Sequence, residues 1–208
     1  MIFFTDDTKV DIEQVHNSQN DRQWSVERPP LEERIVSRQQ GPKSVMVWAG
    51  VGYGVKSPLH FLPEGVKQNG ALYREFLQTK VFPWTRRTYG QRHWIFQQDG
   101  APSHKAEETQ NLIRDNVPEF IEVDISPQRN NGEWPPNSPD LNVLDYTIWS
   151  ILKAEACAKP HQSIESLKKS LVAAWKKIPQ EVIDRAVDAF PKKLQKCIDA
   201  GGGHFENQ

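Results

Sequence analysis

Cysteine is nearly missing from this chain: there are two in 208 residues, Cys157 and Cys197. They share no CxxC spacing and have no neighbouring histidine, so neither a zinc knuckle nor a disulfide-stapled secreted scaffold fits. A reduced, intracellular protein is the expectation, with both thiols read as small helix residues. Long apolar runs are missing as well. No stretch reaches the roughly 20 residues that cross a bilayer, and the opening MIFFTDDTKV is too short and too quickly charged for a signal peptide. No membrane partner is expected, and the default address is cytosol or nucleus. Charge of one sign is the third lack. The 26 Lys and Arg stand against 27 Asp and Glu, a formal net charge of −1. This excludes a strongly basic DNA-reading module within the chain, but not an enzyme that meets nucleic acid through a local patch. Internal repeats and low-complexity blocks are absent too.

What is there is an alternation of strand-like and helix-like segments. MIFFTD reads as a buried strand ending in acids, and SVMVWAGVGYG and SPLHFLPEG as two more, separated by a glycine turn around Gly52 to Gly54. Residues 16–42 are polar and proline-interrupted, which predicts a loop with one short strand around Trp24. GALYREFLQTKVFPWTRRTYG carries Leu72, Phe76, Leu77 and Val81 at helical spacing, with Pro83 expected to stop or kink the helix. HWIFQQD predicts a strand, HKAEETQNLIRDNV an amphipathic helix and FIEVDI a further strand. After the turn-rich ISPQRNNGEWPPNSPD the pattern is helical to the end. Leu144, Ile148, Ile151 and Leu152 share one face, Pro179 stands at a helix start, and GGGHFENQ reads as a frayed tail. Three strands, helix, strand, helix, strand, then helices fit an α/β domain with a mixed sheet, the order of a ribonuclease H-like fold; other mixed α/β folds stay open on periodicity alone. The expected division is residues 1–158 for the sheet-containing domain, 159–200 for a helical C-terminal segment of the same domain and 201–208 for the tail.

In open α/β sheets functional groups gather beyond the carboxyl ends of the strands. Two candidate strands end in acids, at Asp6 and Asp99. If they are parallel neighbours these acids face each other. Asp145, in the first turn of the helix NVLDYTIW, can point toward them. Three converging carboxylates repel one another unless a cation fills the gap. Mg²⁺ suits such oxygen ligands, and two ions about 3.5–4 Å apart can serve attacking and leaving oxygens in phosphoryl transfer. Each acid also has a plainer reading. Asp99 opens a turn before Gly100, Asp6 can be a solvated strand end beside Asp7, and Asp145 can complement the helix dipole behind a cap at Asn142.

Wider context adds to this. QQDGAPSHKA at residues 97–106 and WPPNSPDLNVLDYTIW at 134–149 resemble the mariner/Tc-type transposases of the DDE/D superfamily. Those enzymes carry a QQDxAPxH strand end and a WPPxSPDLNPLDYxIW segment. FFTDD is similar to the family's FSDE, IEQVHNSQNDR echoes its VEQxFNSQNDR, and SVMVWAGV and IPQEVI also look like family phrases. The resemblance runs over nearly all of the chain. It implies a ribonuclease H-like fold and Asp6, Asp99 and Asp145 as the three metal ligands. It also implies Mg²⁺ or Mn²⁺ as cofactor, two ions when DNA is bound, and no small-molecule cofactor. Asp140 matches a motif acid that is not catalytic and reads as a turn or helix-start residue. The implied activity is cleavage of both DNA strands at transposon ends and joining of the freed 3′ hydroxyl to target DNA. DNA is then the partner, a homodimer the suggested assembly and the nucleus the site of action (the cytosol if the chain is inactive). Four departures stand out. The family's N-terminal DNA-binding modules do not precede Met1, TDDT replaces SDEK at the first acid, DISPQRNNGE lengthens the gap from Asp99 to Asp145, and Val143 stands where the family has proline. Asn130-Asn131-Gly132 marks the lengthening as a surface loop.

Lesser candidates remain. His104, five residues after the second acid, can touch phosphate or a metal-bound water, or it can be a packed or capping histidine. Arg86, Arg87 and Arg92 with Trp84 and Trp94 form either a basic, aromatic DNA patch or a solvated helix end beside core tryptophans. Lys168, Lys169, Lys176 and Lys177 read as the wet face of a helix, with DNA backbone contact as the alternative. Two rivals to an active transposase domain stay open: an inactive or domesticated remnant that binds nucleic acid or protein, and a nuclease or resolvase of the same fold.

Overall fold

The computed structural model describes residues 1–12, 43–63, 69–123, 133–135 and 138–202. Strand β1 (Ile2–Asp11) pairs antiparallel with β2 (Ser44–Gly52) from Phe4↔Val51 to Asp11↔Ser44. The opposite edge of β2 is shared by two short strands, β3 (Val55–Lys56) against Val51 and Gly52 and β4 (His60–Leu62) against Met46–Trp48. Between them the chain runs through Ser57 and Pro58. The Ser57 N–H still reaches the Gly50 carbonyl at 2.9 Å, its hydroxyl accepts from the Gly50 N–H at 2.9 Å, and Pro58 has no donor to continue the ladder. On the other side β1 pairs in parallel with β5 (Ile95–Gln97), and β5 with β6 (Glu119–Phe120). The order β3-β2-β1-β5-β6, with β4 also on β2, is the mixed sheet expected of a ribonuclease H-like fold.

Alternation along β1 divides the core in two. Phe3 points to one face with Trp48, Tyr73, Leu77, Phe82, Tyr89, Trp94, Phe96 and Ile113. That face is covered by α1 (Gly70–Phe76), a π turn (Leu77–Val81) and α2 (Phe82–Tyr89), with α3 (Pro102–Lys105) and α4 (Glu107–Arg114) beside them. Phe4 points to the other face, where α5 (Trp149–Ala156), α6 (Ile164–Lys177) and α7 (Gln180–Asp199) pack. Leu167, Leu171, Ile183 and Phe190 sit in the same cluster as Phe4 and Val47, and the Phe190 ring meets Phe4 edge-on at 5.0 Å. The C-terminal helices are therefore one half of the core. Among the described residues no helix is long and apolar enough to cross a membrane.

Several sequence-based expectations shift. Pro83 does not end its helix: the π turn widens the ladder just before it, and Pro83 falls in the first turn of α2, where no intrahelical donor is needed. The buried stripe of α1 is Tyr73, Leu77 and Val81, while Leu72 is exposed and Phe76 only half-buried. Likewise Ile151 lies outside the buried line Leu144, Ile148, Leu152. The helix expected from His104 starts at Pro102 and breaks at Ala106, whose carbonyl opens α4 by accepting from Thr109 and Gln110. Of the strand expected at FIEVDI, Phe120 lies in the two-residue β6, extended by the Ile121 N–H on the Phe96 carbonyl at 2.9 Å, and Asp124 and Ile125 lie outside the described residues. The strand around Trp24 and most of the tail lie outside the described residues.

One close approach fixes how β1 meets β2. A methyl group on Gly50 would overlap the Cζ end of the Phe3 ring, which is itself stacked 5.4 Å from Trp84. Gly50→Ala must therefore displace a fully buried phenylalanine. A loss of about 2–3 kcal/mol is expected from such overpacking, read as a fall in the urea midpoint at unchanged slope. A variant as stable as wild type would mean the Phe3 ring can swing aside.

Candidate active site

β1 continues beyond its parallel neighbour. The last β1–β5 pair is Phe4↔Gln97, and two residues further come Asp6 in β1 and Asp99 in the chain leaving β5. The expectation that Asp6 closes a strand is corrected here. β2 holds β1 as far as Asp11, so Asp6 sits in mid-strand opposite Ala49, its carboxyl buried where β5 has already ended. The Thr5 hydroxyl ties the two strands at this level by donating to the Gln97 carbonyl at 2.6 Å.

Asp145 arrives from far along the chain. A 3₁₀ turn (Pro139–Leu141), with Asp140 as its middle residue, leads to Asn142, then a π turn (Leu144–Ile148) holding Asp145 runs into α5. Asn142 is 2 % exposed. Its side-chain Oδ1 accepts from the Leu144 N–H at 3.0 Å, while its Nδ2 donates to the Thr5 carbonyl at 3.2 Å and Gln97 Oε1 at 3.5 Å. One side chain thus caps the helix and seats its first turn across both site strands. Trp149, one turn after Asp145, donates its indole N–H to Asp6 Oδ2 at 2.6 Å.

The electrostatics follow. Burial pushes the Asp6 carboxyl well above the usual carboxylate range. The charge of Asp145 adds to this, Trp149 works against it by hydrogen-bonding the ionised form, and Asp99 and Asp7 add further repulsion. Tyr73, fully buried on the other face, is raised by burial and then by Asp99, Asp7 and Asp6. Its hydroxyl donates to Gln98 Oε1 at 3.0 Å. The charges of Asp145 and Asp99 thus both act on buried Asp6. Among the described residues, however, no three His, Cys, Asp or Glu side chains are gathered closely enough to hold one ion. The acids share a field without forming a closed cage.

Asp99 has company of its own. Its Oδ1 accepts from His104 Nδ1 at 2.5 Å and from the Ala101 N–H at 3.1 Å. His104 is buried, with its ring 4.3 Å from that of Tyr73. Of the two roles open to His104, the structure gives a packed side chain that holds the second acid. The arginines lie elsewhere. Arg86 donates to Asn116, Arg92 folds back on the Thr88 and Tyr89 carbonyls, and both flank the amino ends of β5 and β6, away from Asp99; Arg87 is exposed on α2 beside Arg86. Trp94 is buried and Trp84 stacks on Phe3, so neither is a free platform for a base. Lys168 pairs with Glu165 and lies over Phe61, and Lys177 pairs with Glu155, as a solvated helix face does. Sequence reading missed Trp149 as a partner of Asp6 and Asn142 as a bridge between strands. The spacing of Asp145 and Trp149, four apart in a helix, was the available signal for the first.

No protein-family model matches this chain. It is 28% identical over 186 residues to the Transposable element Tcb1 transposase of Caenorhabditis briggsae, covering 86% of this chain and 62% of that protein. The catalytic domain of Mos1 mariner transposase superposes with a TM-score of 0.67 at 20% identity, over 99% of this chain and 84% of that one. The Mos1 mariner paired end complex with Mn gives 0.71 at 21%, over 99% and 56%.

Proposed function

From its homology to the Tc1/mariner transposases, we propose that this chain is the catalytic domain of a DNA transposase. It cuts DNA strands at transposon ends and joins the freed 3′ hydroxyl to a target, with Asp6, Asp99 and Asp145 as its metal-ligating acids. The chain spans about three fifths of the curated relative it matches, and the reading extends to the activity of the whole protein. It rests most on one observation: β1 carries buried Asp6, Asp99 stands on the chain leaving its parallel neighbour, and the helix that follows Asp145 reaches Asp6 through the Trp149 indole N–H at 2.6 Å. Mg²⁺ or Mn²⁺ held there supplies Lewis acidity toward phosphate oxygens and the attacking hydroxyl. The protein's part is placement. β2 fixes Asp6 in a strand, His104 orients Asp99, and Asn142 seats the helix that carries Asp145. The manganese in the Mos1 paired end complex supports the cofactor, and the pairing of ends there supports two copies acting together.

The test is joining of a 3′-hydroxyl oligonucleotide duplex into supercoiled plasmid with Mn²⁺, read as nicked and linear product. Asp6→Asn, Asp99→Asn and Asp145→Asn should each lower the rate at least about 10³-fold. A second reading is favoured by the engagement of Asp99 with His104 and the lack of a closed cage among the described residues. In that reading the fold is kept, the chemistry is lost and DNA is bound without metal. DNA binding that ignores EDTA, with no joining by wild type, decides for it.

A further inference from the structure

Two buried groups from opposite ends of the chain, the Asp6 carboxylate in β1 and the Trp149 indole in α5, meet in a 2.6 Å hydrogen bond spanning 143 residues. Trp149 is 3 % exposed and Asp6 6 %. The contact is local to the site: Trp149 stands four residues after Asp145, so the helix that delivers the third acid also delivers a donor to the first. An indole N–H is a donor only. It cannot turn around and accept, so it serves Asp6 only as a donor. The ring is itself held, packed in the core 6.3 Å from Trp175, whose own indole N–H is fixed on the Ser57 carbonyl at 2.8 Å.

We propose that Trp149 is a positioning residue for the metal centre: its N–H holds Oδ2 of Asp6 and so sets the orientation in which that carboxylate would meet a cation. This rests on the reading of Asp6 as a metal ligand. Donors behind ligating carboxylates typically govern metal affinity 10–100-fold. The same bond offsets the repulsion that Asp145 brings, so the third acid and the donor come as one unit.

The experiment is Mn²⁺ titration calorimetry on the full chain, beside Trp149→Phe and Asp6→Asn, with melts in EDTA as the check on folding. Trp149→Phe keeps an aromatic ring and removes the donor; about tenfold weaker Mn²⁺ binding at unchanged stoichiometry is expected. A second readout is the ¹H–¹⁵N indole spectrum: the cross-peak that vanishes in Trp149→Phe should move on Mg²⁺ addition in wild type and stay put in Asp6→Asn. If Trp149→Phe binds Mn²⁺ as wild type does while Asp6→Asn does not, the positioning role is overturned and the metal site stands. If Asp6→Asn binds as wild type, the metal reading itself falls, and this inference with it. Should Trp149→Phe melt more than about 10 °C lower, benzothienylalanine at position 149, a ring of the same shape without the N–H, decides by the same affinity.

Discussion

In EDTA at pH 8, Asp6→Asn melts above wild type, by a few degrees. Burial and the charges of Asp145, Asp99 and Asp7 raise the Asp6 carboxyl in the folded state, so the folded protein holds that proton more tightly than the unfolded chain does. Stability then falls as pH rises from the ordinary carboxylate range through the folded value, and is regained as pH is lowered through the same window. The asparagine variant carries no such charge, can still accept from Trp149, and lacks that loss. The two melting curves should converge toward pH 4 and separate above it. About 1 kcal/mol corresponds to roughly 2–4 °C in a chain of this size. Mn²⁺ reverses the order. At 100 times its dissociation constant it stabilises the form that binds it by about 2.7 kcal/mol, and only wild type should respond. An asparagine variant that melts below wild type in EDTA at high pH would mean that the Asp6 charge is welcome where it sits, and the clustering of acids would lose its physical basis.

The second large effect falls on a residue with no charge. Asn142→Ala removes a helix cap, worth about 1 kcal/mol, and leaves the buried Thr5 carbonyl without the Asn142 donor, about 1–3 kcal/mol more. The sum, roughly 2–4 kcal/mol, should lower the melting temperature by about 5–12 °C. Mn²⁺ affinity should drop as well, because the Asp145 turn loses its anchor to β1 and β5. Asn142→Asp keeps the cap oxygen but turns a carboxylate toward the Thr5 carbonyl and the three acids, and should be the worse of the two. Equal stability of Asn142→Ala and wild type would show that the packing of Leu141, Val143 and Leu144 alone seats the turn.

Much of this was legible in the residues. Strands β1, β2 and β5 announce themselves by their apolar runs, and Asp99 and Asp145 by the two long motifs that hold them. What could not be read is what depends on partners. β1 runs on through polar Asp7, Thr8 and Lys9 because β2 lies alongside, and nothing in TDDTKVD says so. The buried line is Tyr73, Leu77 and Val81, four apart, whereas Leu72 lies about half a turn away from Val81 even in a regular helix. Trp149 and Asn142 gain their meaning from atoms 143 and 137 residues away. No local pattern records such a distance. The triad reading comes from motif context, since each acid alone reads more readily as a turn or cap residue.

Just past β6 the N–H groups of Glu133 and Trp134 both close on the carbonyl of Glu122, at 2.8 and 3.0 Å. Trp134 then plugs into the core, parallel to Phe190 at 6.5 Å. A clasp of this kind uncouples bookkeeping along the chain from distance in space. Doubling the length of a segment whose ends are already pinned costs only about 0.6 kcal/mol, so residues can accumulate between the second and third acids while the acids stay where the clasp leaves them. Counting positions from Asp99 to Asp145 therefore says little about how far apart the two acids stand.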